Sequence, residues 1–231
     1  FYKDAKLLRL TRYRYNNVPA DTDGRYYFIR HRNTVWTPAW QPVKTELDSY
    51  ECRHGLGYSR FTASKNKIQA ELTAFVPLKE SCEVNRLILT NHNTTEETID
   101  LTSYVEFCFW NAVDDSTNFQ RNLSLGEVEV EESTIYHKTE YRERRNHFAY
   151  YTVNSPVAGF DTSRDDFLGV YGSIEHPETV YAGISHNSVA SGGAVIGSHH
   201  LKLTLKPGES KSLIFVLGYS ENDPEDKWEA P

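Results

Sequence analysis

The chain has 231 residues, 39% hydrophobic and 13% aromatic with 15 Tyr, and carries a formal net charge of -7. That length holds one large all-β domain or two small ones, with a core that needs no staples, and the acidic balance argues against nucleic acid as the main partner. No apolar run approaches a membrane span, and three Cys (Cys52, Cys82, Cys108) without metal-ligand spacing read as reduced thiols of a cytoplasmic protein.

In chain order, Leu7 to Tyr15 alternates as a strand, and 16–24 is a loop by composition. Arg25 to Ile29 reads as a short strand. Trp36-Thr-Pro-Ala-Trp-Gln-Pro42 holds two Pro and two Trp, which excludes a central strand and predicts a rigid loop or edge. The clearest β signals follow. Tyr58–Ala63 and Ile68–Val76 flank Ser64-Lys-Asn-Lys67, a predicted hairpin. Glu83–Thr90 and Thr98–Phe109 flank 91–97, read as a second hairpin. Alternation of Leu101, Ser103, Val105 and Phe107 predicts one buried face.

The next stretch is the most informative. Trp110-Asn-Ala-Val-Asp-Asp115 and Asn118-Phe-Gln-Arg-Asn-Leu-Ser124 form a polar loop with carboxylates, amides, one guanidinium and two aromatics. Sugar hydroxyls pair with planar amide, carboxylate and guanidinium groups, and sugar C–H faces lie against aromatic planes. The loop therefore has the composition of a sugar contact. Asp114 and Asp115 are adjacent and point apart on extended chain. They do not span the ~5–10 Å that separates glycosidase carboxylates and read as loop-shaping or salt-bridging.

Strands are predicted near Gly126–Val130, Thr134–Lys138 and His147–Val153, with a charged segment, Glu140-Tyr-Arg-Glu-Arg-Arg145, read as a solvated or interface network. Phe160–Gly169 is loop-like, and 180–197 is rich in Gly, Ser and Ala. His199–Leu205, Lys206-Pro-Gly-Glu209 and Ser212–Tyr219 read as a last hairpin. His199 and His200 point to opposite faces of a strand and are poor joint metal ligands. His54 and His137 read as structural histidines. Trp36 and Trp40 read as core or interface aromatics rather than sugar platforms. No helix of ordinary length is visible, and many strands with turn signals make the fold all-β, a large antiparallel β-sandwich.

The loop motifs above, together with Leu10-Thr-Arg-Tyr-Arg-Tyr-Asn-Asn-Val-Pro-Ala20, Trp36-Thr-Pro-Ala-Trp-Gln-Pro-Val43, Glu51-Cys-Arg-His-Gly-Leu-Gly57 and Ile135 to Arg145, resemble the N-terminal domain of the cellobiose phosphorylases of glycoside hydrolase family 94. The similarity runs over nearly the whole chain. It implies a supersandwich of the galactose-mutarotase-like kind over residues 1–220, with 221–231 opening a linker to a helical catalytic domain. A chain that starts at Phe1 and contains no Met is expected to be a fragment, truncated at its start.

The resemblance also implies that the whole enzyme converts cellobiose and inorganic phosphate to glucose 1-phosphate and glucose with inversion. Phosphate is a substrate, and no metal or organic cofactor is implied. The catalytic Asp would lie in the helical domain, so this segment by itself is expected to be inactive. Arg121, Gln120, Asn118 and Asn111 match positions on the acceptor-sugar side of the active site. A homodimer, formed partly through this domain, is implied as well. Three alternatives stay open: a phosphorylase of another β-linked disaccharide, a non-catalytic carbohydrate-binding sandwich, and a mutarotase-like enzyme with a His and a carboxylate in one cleft. Two departures from the family pattern stand out, Lys67 in place of a turn Gly and Gly193 in place of an aromatic.

Overall fold

The computed structural model describes residues 2–4, 8–12, 24–110, 126–139 and 146–230. In chain order the strands are β1 (Tyr2–Asp4), β2 (Leu8–Thr11), β3 (Arg25–His31), β4 (Thr34–Trp36), β5 (Ser49–His54), β6 (Tyr58–Lys65), β7 (Ile68–Phe75), β8 (Cys82–Asn91), β9 (Glu97–Trp110), β10 (Gly126–Glu131), β11 (Thr134–Thr139), β12 (His147–Val153), β13 (Gly159–Ser163), β14 (Val195–Leu205) and β15 (Ser210–Glu221). Two five-residue helices, α1 (Arg164–Leu168) and α2 (Glu178–Ala182), and a 3-10 turn (Pro224–Asp226) complete the described elements.

The strands form two antiparallel sheets. One has seven strands in the order β1-β2-β9-β14-β13, with β3 also on β9 and β4 on β3. The other has eight, in the order β10-β11-β12-β15-β8-β7-β6-β5. The fold is the all-β sandwich that the alternation predicts.

Between the sheets, Tyr27, Ile29, Leu101, Val105, Phe107, Leu201 and Leu203 face Ala70, Leu72, Leu87, Leu89, Tyr151, Leu213, Phe215 and Leu217. Full burial of each large apolar side chain contributes ~1.5–3 kcal/mol. A second core lies on the outer side of the seven-stranded sheet. There Tyr26, Phe28, Tyr104 and Ile196 pack against Phe167, Leu168, Ile174 and Val180 from the α1–α2 segment. This corrects the expectation of a single buried face for β9. Residues 101–108 are all buried, because the segment after β13 covers the face that alternation leaves to solvent. It also corrects the loop reading of 160–169, which is β13 followed by α1. Ser163 caps α1 by accepting from the Asp166 N–H.

Two predicted hairpins are instead crossovers. β8 lies in the eight-stranded sheet and β9 in the seven-stranded one, and the same division separates β15 from β14. Both connections therefore arch across the sandwich. They are fastened together by Asn91, which is fully buried. Its Nδ2 donates to Thr95 O (2.8 Å) and Leu205 O (2.9 Å), and its Oδ1 accepts from the Asn93 N–H (2.8 Å). Its backbone N–H reaches Glu209 O (3.0 Å), and its O accepts from Gly208 (2.8 Å). One asparagine thus satisfies backbone groups of two arches that would otherwise be buried without partners.

The β6–β7 hairpin does form, with Asn66 and Lys67 at φ 52 and 60. Positive φ at both central residues is the hairpin-matching turn, so Lys67 holds the conformation for which Gly is favoured. At the other departure, Gly193 has φ +76 and open space around it, a backbone conformation in which an aromatic would be strained.

Candidate functional site

The end of the sandwich from which the sugar-type loop departs is built from both sheets. In the first, β2 runs beside the last residues of β9 (Arg9 opposite Trp110), β3 begins at Arg25 opposite Val105, and β14 meets β9 with Ile196 opposite Glu106. In the second, Gly126 pairs with Thr139 and His147 with Glu221. The described residues that flank 13–23, 111–125 and 140–145 therefore stand together at this end. Arg121, Gln120, Asn118 and Asn111 lie outside the described residues, as do Asp114, Asp115 and the charged segment 140–145.

Beneath the flanks sits a buried charge cluster. Glu106 is a lone charge in the apolar run 104–109 of β9, and its side chain is 4% exposed. It is salt-bridged to Arg12, accepts from the Tyr104 hydroxyl (3.1 Å), and lies 3.4 Å from Arg164 Nε at the start of α1. Burial, with the Glu106 charge beside it, pushes the Tyr104 phenol well above its ordinary value, so it stays a donor. The cluster joins β2, β9 and α1. It escapes sequence reading because Arg12 and Arg164 are far from Glu106 along the chain. The detectable signal is a charge inside an apolar strand, which must find a partner.

A second pair of ties crosses between the sheets. Arg25 on β3 bridges to Glu83 on β8 at 2.6 Å, and Asn85 Nδ2 donates to the same carboxylate at 2.8 Å. Phe107 stacks on His137 with ring centroids 5.0 Å apart and planes 10° apart. Burial lowers His137 from 6.5 to about 3, so the imidazole is neutral at neutral pH. On the eight-stranded sheet, Lys138 Nζ donates to Glu129 (2.5 Å) and reaches Glu229 O (3.4 Å), drawing the last described turn across β11.

Among the described residues of this end, the buried carboxylates serve as support rather than as acid–base groups. A carboxylic acid that protonates a glycosidic oxygen has to be within reach of it. Glu106 and Glu83 are instead buried and held by arginines. What they provide is a rigid base at the strand ends that flank residues 111–125.

The histidines follow the period-two reading. His199 points inward against Tyr151 (4.9 Å) and takes Ser103 Oγ at 3.2 Å on Nδ1, while burial holds it at about 3. His200 points the other way, to Asp100 at 3.0 Å. His54 is exposed, between Cys52 Sγ (3.3 Å) and Ser59 Oγ (2.9 Å). Among the described residues, the salt-bridged His–carboxylate pairs, His31–Glu97 and His200–Asp100, are covered and shared with Arg32 and Arg30. They do not open onto a cleft as a mutarotase-like site requires. Trp36 is core, at 0% exposure, whereas Trp40 is exposed. Among the described residues no three His, Cys, Asp or Glu gather as a metal site, and no helix is long and apolar enough to cross a membrane. Cys52, Cys82 and Cys108 form no disulfide.

Comparison with known proteins sets this end in context. The family model "Glycosyl hydrolase 94, supersandwich domain" matches residues 1–229. The N,N'-diacetylchitobiose phosphorylase of Vibrio proteolyticus is 33% identical over 233 residues, covering 97% of this chain and 29% of that protein. The solabiose phosphorylase of Paenibacillus borealis is 32% identical over 205 residues, covering 86% of this chain and 26% of its own length. The chain thus spans less than a third of these relatives. Among solved structures, a bacterial glucoamylase complexed with acarbose superposes with TM-score 0.54 at 8% identity, over 86% of this chain and 27% of that one. A polysaccharide lyase gives 0.52 at 12%, over 94% and 29%. At such identities these two speak for the sandwich alone. With nearly every residue matched and the two-sheet architecture in place, the chain belongs to the glycosyl hydrolase 94 supersandwich domain family.

Proposed function

We propose that this chain is the supersandwich part of a phosphorylase that cleaves a β-linked disaccharide with inorganic phosphate, and that its braced end carries part of the acceptor-sugar site. The observation that carries the reading is the match of 97% of the chain to a diacetylchitobiose phosphorylase at 33% identity, alongside the solabiose enzyme. The charge cluster beside the described strand ends that flank 111–125 supports it, since a segment that positions a sugar needs a stiff base. Arg121, Gln120, Asn118 and Asn111 are the proposed acceptor contacts, with amide and guanidinium groups paired to sugar hydroxyls.

In this reading phosphate attacks the anomeric carbon in one displacement, which inverts the configuration as a water does in an inverting glycosidase. The acid that protonates the leaving oxygen belongs to a helical domain joined to this one. The sandwich also contributes contacts to a homodimer, and the enzyme works in the cytoplasm without metal or organic cofactor.

Cellobiose is one candidate substrate. The names of the relatives favour a wider choice among β-linked disaccharides, including diacetylchitobiose. A panel of these disaccharides with phosphate, read as sugar 1-phosphate released by the full-length protein, tests the reading. Release from at least one β-linked disaccharide is expected, with kcat/KM reduced tenfold or more by Arg121→Ala. Hydrolysis without any phosphate ester would overturn the reading.

A further inference from the structure

We propose a second carbohydrate site on the side of the sandwich, a cleft of about 420 Å³ lined by Ala39, Trp40, Glu46, Leu47 and Tyr50, that takes a β-linked oligosaccharide of glucose or N-acetylglucosamine. It is separate from the braced end. Trp36, which leads into this loop, is opposite Ile29, and Ile29 is opposite Leu101. Leu101 lies nine residues before Trp110 on β9, or ~30 Å at ~3.3 Å per residue.

Three observations make the cleft a site rather than a surface irregularity. Trp40 and Tyr50 are 43% and 49% exposed although both are large aromatics. They come from different elements, the β4–β5 loop and the edge strand β5, and converge on one hollow. Second, Trp40 is held in place. It has φ +69, a left-handed conformation that a bulky residue adopts only when its surroundings hold it there. The loop is fastened around it by Trp40 N to Thr37 O (3.1 Å), Lys44 N to Trp40 O (2.9 Å), Thr37 Oγ1 to Gln41 O (2.7 Å) and Thr45 Oγ1 to Val35 O (2.6 Å). A platform fixed before binding loses little entropy on binding. Third, Glu46 is exposed, and among the described residues no cation pairs with it; Lys44 is engaged by Glu175 at 2.6 Å.

Two aromatic planes and an unengaged carboxylate suit a ligand with flat C–H faces and hydroxyl rims. Equatorial β-linked pyranoses have that shape, and the volume falls within the ~300–1,000 Å³ of small-molecule sites. The choice of β-linked sugar rests on the proposed function; the aromatic–carboxylate cleft does not.

The test is titration of the protein with cellotetraose and tetra-N-acetylchitotetraose, following the indole N–H resonances of its four Trp. Saturable movement of the Trp40 resonance is expected. Affinity should fall at least tenfold in Trp40→Ala and in Glu46→Gln and be retained in Trp40→Phe. Movement of Trp110 without Trp40 would overturn the proposal while leaving the phosphorylase reading intact. So would saturation by tetramethylammonium but by neither sugar, or a change of oligomeric mass in Trp40→Ala with no sugar bound. Trp40-centred binding in a protein whose full-length form shows no phosphorolysis would support the site and count against the proposed function.

Discussion

Replacing Glu106 by Gln keeps the shape of the side chain and removes one negative charge from between two arginines. Arg12 and Glu106 have side chains 4% exposed, and Arg164 is 21% exposed at 3.4 Å. Arg12 cannot reach bulk water without opening the β2–β9 junction, whereas Arg164 stays partly solvated. Removing one partner of a buried pair and leaving the other costs ~3–5 kcal/mol, against a total stability of ~5–15 kcal/mol. For a domain of this size each kcal/mol moves Tm by ~2–4 °C, so a fall of ~6–20 °C is expected. Urea unfolding followed by Trp fluorescence gives the free energy directly. Adding Arg12→Met to Glu106→Gln should cost little more, because the cation that faced the lost carboxylate has gone; the double-mutant cycle then reports the coupling. A loss below ~1 kcal/mol for Glu106→Gln would refute the claim that this cluster is dry and bracing.

Other perturbations probe the arches, the turn and the buried imidazoles. Asn91→Ala removes three side-chain hydrogen bonds of 2.8–2.9 Å and orphans backbone groups of both arches; a loss of ~2–4 kcal/mol in urea is expected. Lys67→Gly relieves φ 60 in an exposed turn and should raise stability by ~0.5–1 kcal/mol, visible as a small upward shift of Tm. His137 and His199 are both lowered from 6.5 to about 3, so the unfolded chain binds the extra protons. Their contribution is complete above pH 6.5 and is lost as pH falls toward 3. Glu97, drawn from 4.5 to about 2 by hydrogen bonds from Arg32, His31 and Thr95, adds its loss only below about 4.5. Unfolding free energies between pH 8 and 4 should therefore begin to decline near 6.5, and more gently in His199→Phe.

Much of the sandwich is legible in sequence because period-two alternation is a local property. β8 and β15 have one covered and one open face, and their patterns read cleanly. β9 does not, because α1 and α2 cover its second face, and five-residue helices are too short to show a period. The connections at 91–97 and 206–209 were readable as turns but not as arches. Lys206-Pro-Gly-Glu209 needs a Gly at φ +75 whichever sheet the next strand joins, and the choice of sheet is made by contacts more than a hundred residues apart, such as Asn91 to Leu205. The histidine pair at 199–200 was legible because opposite faces follow from adjacency alone. At the site, residue types in 111–125 suggest sugar chemistry, yet the cluster that braces its flanks joins positions 12, 106 and 164 and is visible only in three dimensions. Trp40 and Trp36 share one motif; the β3–β4 pairing buries one, and the left-handed turn at the other keeps it exposed.

The most direct test of the account is phosphorolysis by the 231-residue chain itself and by the same chain joined to the helical domain proposed for the full-length protein. Each is given inorganic phosphate and a panel of β-linked disaccharides, with sugar 1-phosphate as the readout. The account predicts none from the sandwich and release once the helical domain is present, sensitive to Arg121→Ala. Turnover by the sandwich acting by itself would place the proton donor among these residues and contradict it.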